Sequence, residues 1–361
     1  METRTHARLL RAPIAAALVL LLTALGSSAP ANAVSNASTT STTSSATAAA
    51  AGHCTDVAYT LAATPGGTPD QTIAGTLCLP AQNPGTTRVD VLVHGASYNR
   101  SYWDWPTQSG TYSYVAETLQ AGRATFAYDR LGAGQSSHPL SALVTTSADA
   151  FILHEIISTM RASGFTGVDV VGHSFGSVIA IDEAACFHDI DELVVTGLLH
   201  SQGPGLATVT ASFYPADLDP QFLLKSLDVG YLTSLPGTRA TSFYSSAVDP
   251  AVVAYDEQHK DMISATELAA GVAESQLLPA VNASRLVTAP VLIVDGQQDH
   301  IFCGLYIDCA HPASVLTFES TYFPAAARLA VALIPATGHD IALHPSAPSS
   351  FADIDQWLRS S

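Results

Sequence analysis

The sequence predicts an α/β fold: a mostly parallel, twisted sheet with helices on both faces and an inserted helical segment. Three observations carry this. Short apolar runs alternate with helical patterns along most of the chain, which is how consecutive βα units read. The residues able to do chemistry stand directly after those runs, at what would be the carboxyl ends of strands, where open α/β sheets place their functional groups. The alternation breaks once, between about 201 and 285, where proline, aromatic residues and short helical patterns replace it.

Taken in order, residues 1–33 carry Arg4, Arg8 and Arg11 ahead of an apolar run from Ile14 to Leu25 and the small-residue triplet Ala31-Asn32-Ala33. This is the pattern of a cleaved secretory signal peptide, so the mature chain is expected outside the cell. The run is too short, and too quickly followed by small residues, for a transmembrane helix. Residues 34–52 are almost entirely Ser, Thr and Ala and predict a linker with nothing large to bury. Segments 55–62 and 72–79 predict an antiparallel hairpin. Val89–Val93, Ala124–Tyr128, Val168–Val171, Leu193–Leu199, Val291–Val294 and Leu329–Ile334 predict parallel strands. Tyr112–Gln120, Ala148–Ala162 and Ser177–Ala185 have helical spacing, with Gly122 and Gly164 at C-terminal cap positions. A last helix is expected over Phe351–Leu358. The expected organisation is a core of 53–200 and 286–361, with 201–285 as a cap or lid over the site.

Composition narrows the function classes. Removing residues 1–33 takes three Arg and one Glu from 14 basic and 31 acidic residues, leaving a net charge of −19. That charge argues against nucleic acid and anionic membrane surfaces as partners. Five cysteines are present. Cys54 stands directly before the first segment of the expected hairpin and Cys78 within the second, so they could staple it. Cys303 and Cys309 flank a short loop, and Cys186 is left over; the sequence leaves their connectivity open. No C-x-x-C pair occurs, so zinc held by cysteines is not expected. No cofactor is expected, and the oligomeric state is not legible.

Gly172-His173-Ser174-Phe175-Gly176 follows one apolar run and precedes a helical one. Strand, tight turn and helix are the context in which G-x-S-x-G reads as a nucleophile elbow. A serine needs a base within hydrogen-bond reach. His339, in Gly338-His339-Asp340 after the last strand, is the candidate. His344 competes, His173 is read as packing beside the nucleophile, and His94 as ordering its own loop. The base needs a carboxylate to fix its tautomer; Asp299 is favoured over Asp295, which stands at the strand end itself. An oxyanion hole needs two backbone N–H donors. Phe175 is expected to give one and Ala96, in His94-Gly95-Ala96, the other, with Ser97 as the alternative to Ala96.

With Ser174, Asp299 and His339 in that chain order, the sequence resembles the α/β-hydrolase superfamily. The resemblance also rests on His94-Gly95-Ala96 and on the D-R-x-G-x-G-x-S stretch Asp129–Ser136. It covers most of the chain from residue 85 and implies an α/β-hydrolase fold with a cap inserted after the sixth strand. The oxyanion segment departs from the H-G-G-G form of many lipases and carboxylesterases. A serine at the elbow argues against the haloalkane dehalogenases and epoxide hydrolases, which use aspartate there. The expectation is a secreted serine hydrolase acting on a small, apolar ester or lactone through an acyl-enzyme on Ser174. Two alternatives stand beside it. One is an exopeptidase or amidase of the same fold, with Asp217, Asp219, Asp256, Glu257 or Asp261 anchoring a peptide N-terminus. The other is a binding protein that has lost catalysis.

Overall fold

The computed structural model describes residues 52–225 and 227–360. The expected leader, and all of the expected linker except Gly52, lie outside the described residues; Gly52 itself opens the first strand.

Eight strands form the main sheet: β1 (Gly52–Leu61), β2 (Gln71–Pro80), β3 (Arg88–Val93), β4 (Ala124–Tyr128), β5 (Gly167–His173), β6 (Glu192–Thr196), β10 (Val291–Gly296) and β11 (Leu329–Ile334). Their spatial order is β1-β2-β4-β3-β5-β6-β10-β11. β1 and β2 form the expected antiparallel hairpin, with Cys54 opposite Cys78 in register and joined to it by a disulfide. β2 pairs antiparallel with β4, and every pairing from β4 to β11 is parallel. The central strands are buried on both faces, which is why they read as continuous apolar runs and not as alternating ones.

Charged residues inside these strands are neutralised where they enter. Asp90 accepts from Arg123 and Tyr114, and Asp169 accepts from Arg88 at 2.8 Å. Burial, then the nearby Asp90 charge, raises the Asp169 carboxyl to about 7 even against Arg88.

Helices α1 (Tyr114–Gln120), α2 (Thr146–Ala162) and α3 (Phe175–Phe187) fill the connections between strands. α1 and the C-terminal α7 (Ala347–Arg359) pack together on one face of the sheet, α2 and α3 on the other. Gly122 and Gly164 adopt φ of +85° and +104° just past α1 and α2, the left-handed turn that ends a helix. β6 stops at Thr196, short of the expected Leu199, because Gly197 turns the chain at φ +58°. α3 is buried nearly all round, as befits a helix packed between the sheet and other helices.

The break in alternation is an insertion between β6 and β10. It holds α4 (Pro250–His259) and α5 (Ala265–Glu274), short helices at Leu206–Ala211 and Arg239–Phe243, and a feature absent from the sequence reading. β7 (Phe213–Pro215), β8 (Tyr231–Ser234) and β9 (Ile263–Ser264) form a second, antiparallel sheet. Strands of two to four residues are too short to show alternation, so they left no periodic signal. α6 (Pro312–Glu319) follows a loop closed by the Cys303–Cys309 disulfide. Cys186 is an exposed free thiol. Among the described residues no helix is long and apolar enough to cross a membrane.

Candidate active site

β5 runs straight into Ser174, which sits at φ +53° and ψ −119° before α3 begins. That backbone is strained for a residue with a side chain, and it lifts the hydroxyl clear of the sheet edge. The flanking glycines are steric requirements. A Cβ on Gly176 would lie 2.2 Å from the Val93 carbonyl oxygen, and one on Gly172 would lie 2.6 Å from the Ser177 Cα.

His339 stands on the loop after β11 with Nε2 2.8 Å from Ser174 Oγ. Its Nδ1 is 2.8 Å from Asp299 Oδ2. Asp299 is fully buried on the loop after β10, and its other oxygen accepts from the Ile301 amide at 2.7 Å. Burial pulls the His339 imidazole down, but the charge and hydrogen bond of Asp299 outweigh it and the net shift is upward. The reverse holds at Asp299, where burial raises the carboxyl and His339, the Ile301 amide and Asp295 together more than cancel the rise. The three expected residues are thus brought into one chain of hydrogen bonds.

The alternatives weighed from sequence lie elsewhere. His344 is buried and its Nε2 accepts from the Ser245 and Gly338 amides, so that nitrogen is spent on holding the loop that carries His339. Asp295 accepts from the Gly296 amide at 2.7 Å; burial, then the Asp299 charge, push its carboxyl well above the usual range. Ser97 is turned into the protein, where its hydroxyl accepts from Arg239 at 2.8 Å, whereas Ala96 lines the cleft beside Ser174. Phe175 is the first residue of α3, so its amide is among those without an intrahelical partner.

A polar network behind the histidine had little sequence signal. His173 Nε2 is 3.0 Å from Asp340 Oδ1, and its ring stacks on Tyr102 at 4.3 Å. The Tyr98 hydroxyl lies 2.5 Å from Asp340 and 3.0 Å from Asp256. Asp256 is paired in turn with the fully buried Arg239 at 2.7 Å. Asp340 had one signal, its place directly after His339; nothing local marks Arg239. His94 does more than order its own loop, since its Nε2 accepts from the Arg130 amide. Arg130 pairs with Asp149 and with Glu267 of α5, and its guanidinium stacks 4.8 Å over the Phe175 ring.

Above Ser174 and His339 lies a narrow cleft of about 70 Å³, open to solvent at its mouth. Its walls are apolar. Phe175, Val178, Leu198, Ile301 and Phe302 come from the core, and Leu206, Val209, Phe213, Phe243, Leu268 and Val272 from the insertion. None of the five carboxylates considered for anchoring a peptide lines it. Asp219 pairs with Lys260, Asp256 with Arg239, Asp261 with Asn99, and Glu257 accepts from backbone amides.

The alpha/beta hydrolase family model matches residues 91–354. No curated protein sequence matches the chain. Among solved structures, an esterase from Thermogutta terrifontis is similar at 20% identity and a TM-score of 0.54, covering 85% of this chain and 98% of the other. A monoglyceride lipase from Saccharomyces cerevisiae is similar at 17% identity and a TM-score of 0.54, covering 81% and 92%. At these identities the likeness is one of fold.

Proposed function

The chain belongs to the alpha/beta hydrolase family, and from that premise we propose that it is a secreted serine hydrolase that cleaves carboxylic esters or lactones through an acyl-enzyme on Ser174. One observation carries the reading: the continuous hydrogen-bonded line from Ser174 through His339 to Asp299 at the floor of an apolar cleft. The insertion, at about 201–285, acts as the cap that supplies half of that cleft.

His339 Nε2 takes the Ser174 proton as Oγ attacks the substrate carbonyl carbon. Asp299 holds the imidazole in the tautomer with the proton on Nδ1 and balances the imidazolium that forms. The Ala96 and Phe175 amides receive the oxyanion. Collapse breaks the ester C–O bond, and His339 returns its proton to the departing alkoxide. Water, deprotonated by His339, then attacks the acyl group, and the second collapse restores Ser174 and frees the acid.

The names of the similar structures, an esterase and a monoglyceride lipase, support ester substrates. Four of the five candidate carboxylates are committed to structural pairs, and none of the five, Asp217 included, lines the cleft, which gives no support to peptide N-terminus binding there. Secretion accords with the leader pattern of residues 1–33 and with two disulfides.

The test is turnover of short aryl esters and lactones by the wild type and by Ser174→Ala. The expected loss in kcat is on the order of 10⁴ to 10⁶, together with loss of fluorophosphonate labelling. Undiminished turnover in Ser174→Ala would overturn the assignment. Faster release from an amino-acid arylamide than from the matching ester would transfer it to an amidase.

A further inference from the structure

We propose that His154, Glu183 and Asp189 form a binding site for a divalent transition-metal ion, at the end of the sheet away from the nucleophile. Glu183 lies eight residues along α3 from Phe175, about 12 Å by helix rise. Asp189 lies in the turn between α3 and β6, where the Asp191 amide donates to Val168 at the amino end of β5.

Ligand atoms from three side chains meet there. His154 Nδ1 is 2.8 Å from Asp189 Oδ2 and 3.8 Å from Glu183 Oε1. One ligand atom from each residue can be chosen so that all lie within 4.8 Å of one another. Glu183 gives the independent indication of a ligand. Its side chain is fully buried, yet neither carboxylate oxygen has a hydrogen-bond partner, and Asp189 Oδ1 has none either. A buried carboxylate without a partner is costly, and here it points at a second carboxylate and an imidazole. A cation among the three compensates both charges at once.

The surroundings hold the ligands in place. The Phe187 ring stacks on the imidazole at 4.0 Å and 12°. Arg161 donates to the Asp189 carbonyl, and its own charge is met by Asp191 at 3.0 Å. His154 and Asp189 are 26% and 25% exposed, which leaves a way in for the ion and room for a water ligand. One imidazole with two carboxylates is a nitrogen and oxygen set that suits zinc. The lack of C-x-x-C pairs in the sequence has no bearing on a site without cysteine. Binding displaces any proton on Nδ1 and so releases it to solvent.

The experiment is calorimetric titration of the EDTA-stripped full chain with zinc chloride near neutral pH, with Tm measured alongside. The wild type is expected to bind one zinc ion at this site and to gain Tm. Glu183→Gln and His154→Ala are each expected to lose that equivalent and the Tm gain. Zinc binding that survives both substitutions, as it would on the exposed His311–Asp308 pair, overturns the proposal. So does a wild type that takes up no zinc; if Glu183→Gln is then the more stable protein, Glu183 holds a proton in place of a metal. If Glu183→Gln does not fold, His154→Ala at its partly exposed position decides the matter alone.

Discussion

At Ser174 the capacity to attack depends on the charge state of His339, and that is set by Asp299. A base works only when neutral, so the proposed activity rises with pH through the His339 titration. Burial pulls that titration down, but the Asp299 charge and hydrogen bond, with the Asp340 charge, together shift it upward, so the acid limb of kcat/KM is expected above the ordinary imidazole value of 6.5. Asp299→Asn removes the charge; burial then dominates, the limb moves to lower pH, and kcat falls on the order of 10⁴-fold. Asp295→Asn separates the two aspartates. Burial and the Asp299 charge already favour a neutral Asp295, so the isosteric amide is expected to leave the pH profile near that of the wild type. A profile displaced as far by Asp295→Asn as by Asp299→Asn would contradict the assignment. Residue type alone does not mark such a site. Ser284, His200 and Glu319 are also linked by 2.7 Å contacts, but Ser284 is fully buried and sits in the short turn Ala283–Leu286, not at a strand-to-helix elbow. What made Ser174, Asp299 and His339 legible in the sequence was that each follows a strand. The Arg239–Asp256–Tyr98–Asp340–His173 network was not, because its members lie as far as 242 residues apart and meet only in the folded chain.

The strands and helices that position these groups were readable for a simple reason. Strands buried on both faces are mostly apolar, and two of the helices between them, α1 and α2, end at glycines that take positive φ. The small β7-β8-β9 sheet escaped because its strands make too few pairs each to impose a pattern. α5 offers a test of how the insertion shapes the cleft. A Cβ on Gly271 would fall 2.5 Å from Phe175 Cδ2, so Gly271→Ala must push that ring into the space above Ser174 or tilt the helix away. KM for esters with a bulky acyl group is expected to rise several-fold while acetyl esters are turned over nearly as before. Equal effects on both would place Gly271 outside substrate recognition.

For the molecule as a whole, the join between insertion and core is polar, buried and paired. Arg239 donates to Ser97 of the core and to Asp256 of the insertion, and stacks 4.2 Å from the Tyr98 ring. Asp261 accepts from Asn99 and from the Gly134 amide, and Glu267 pairs with Arg130. Removing one partner strands the other, so Arg239→Ala is expected to cost about 3–5 kcal/mol, read as a lowered denaturation midpoint. A change under 1 kcal/mol, on the order of a surface pair, would mean the pair is relieved by water.

These fixings have a kinetic meaning. In the proposed reading, where the insertion covers the site, a cover tied down by buried ion pairs does not swing aside when the enzyme meets an oil droplet. Hydrolysis of a sparingly soluble triglyceride is therefore expected to follow a single hyperbola through the solubility limit, with no lag and no step as an emulsion forms. Rates measured in clear solution and in emulsion, on one preparation, check this; a jump at the phase boundary would show that the cover opens after all.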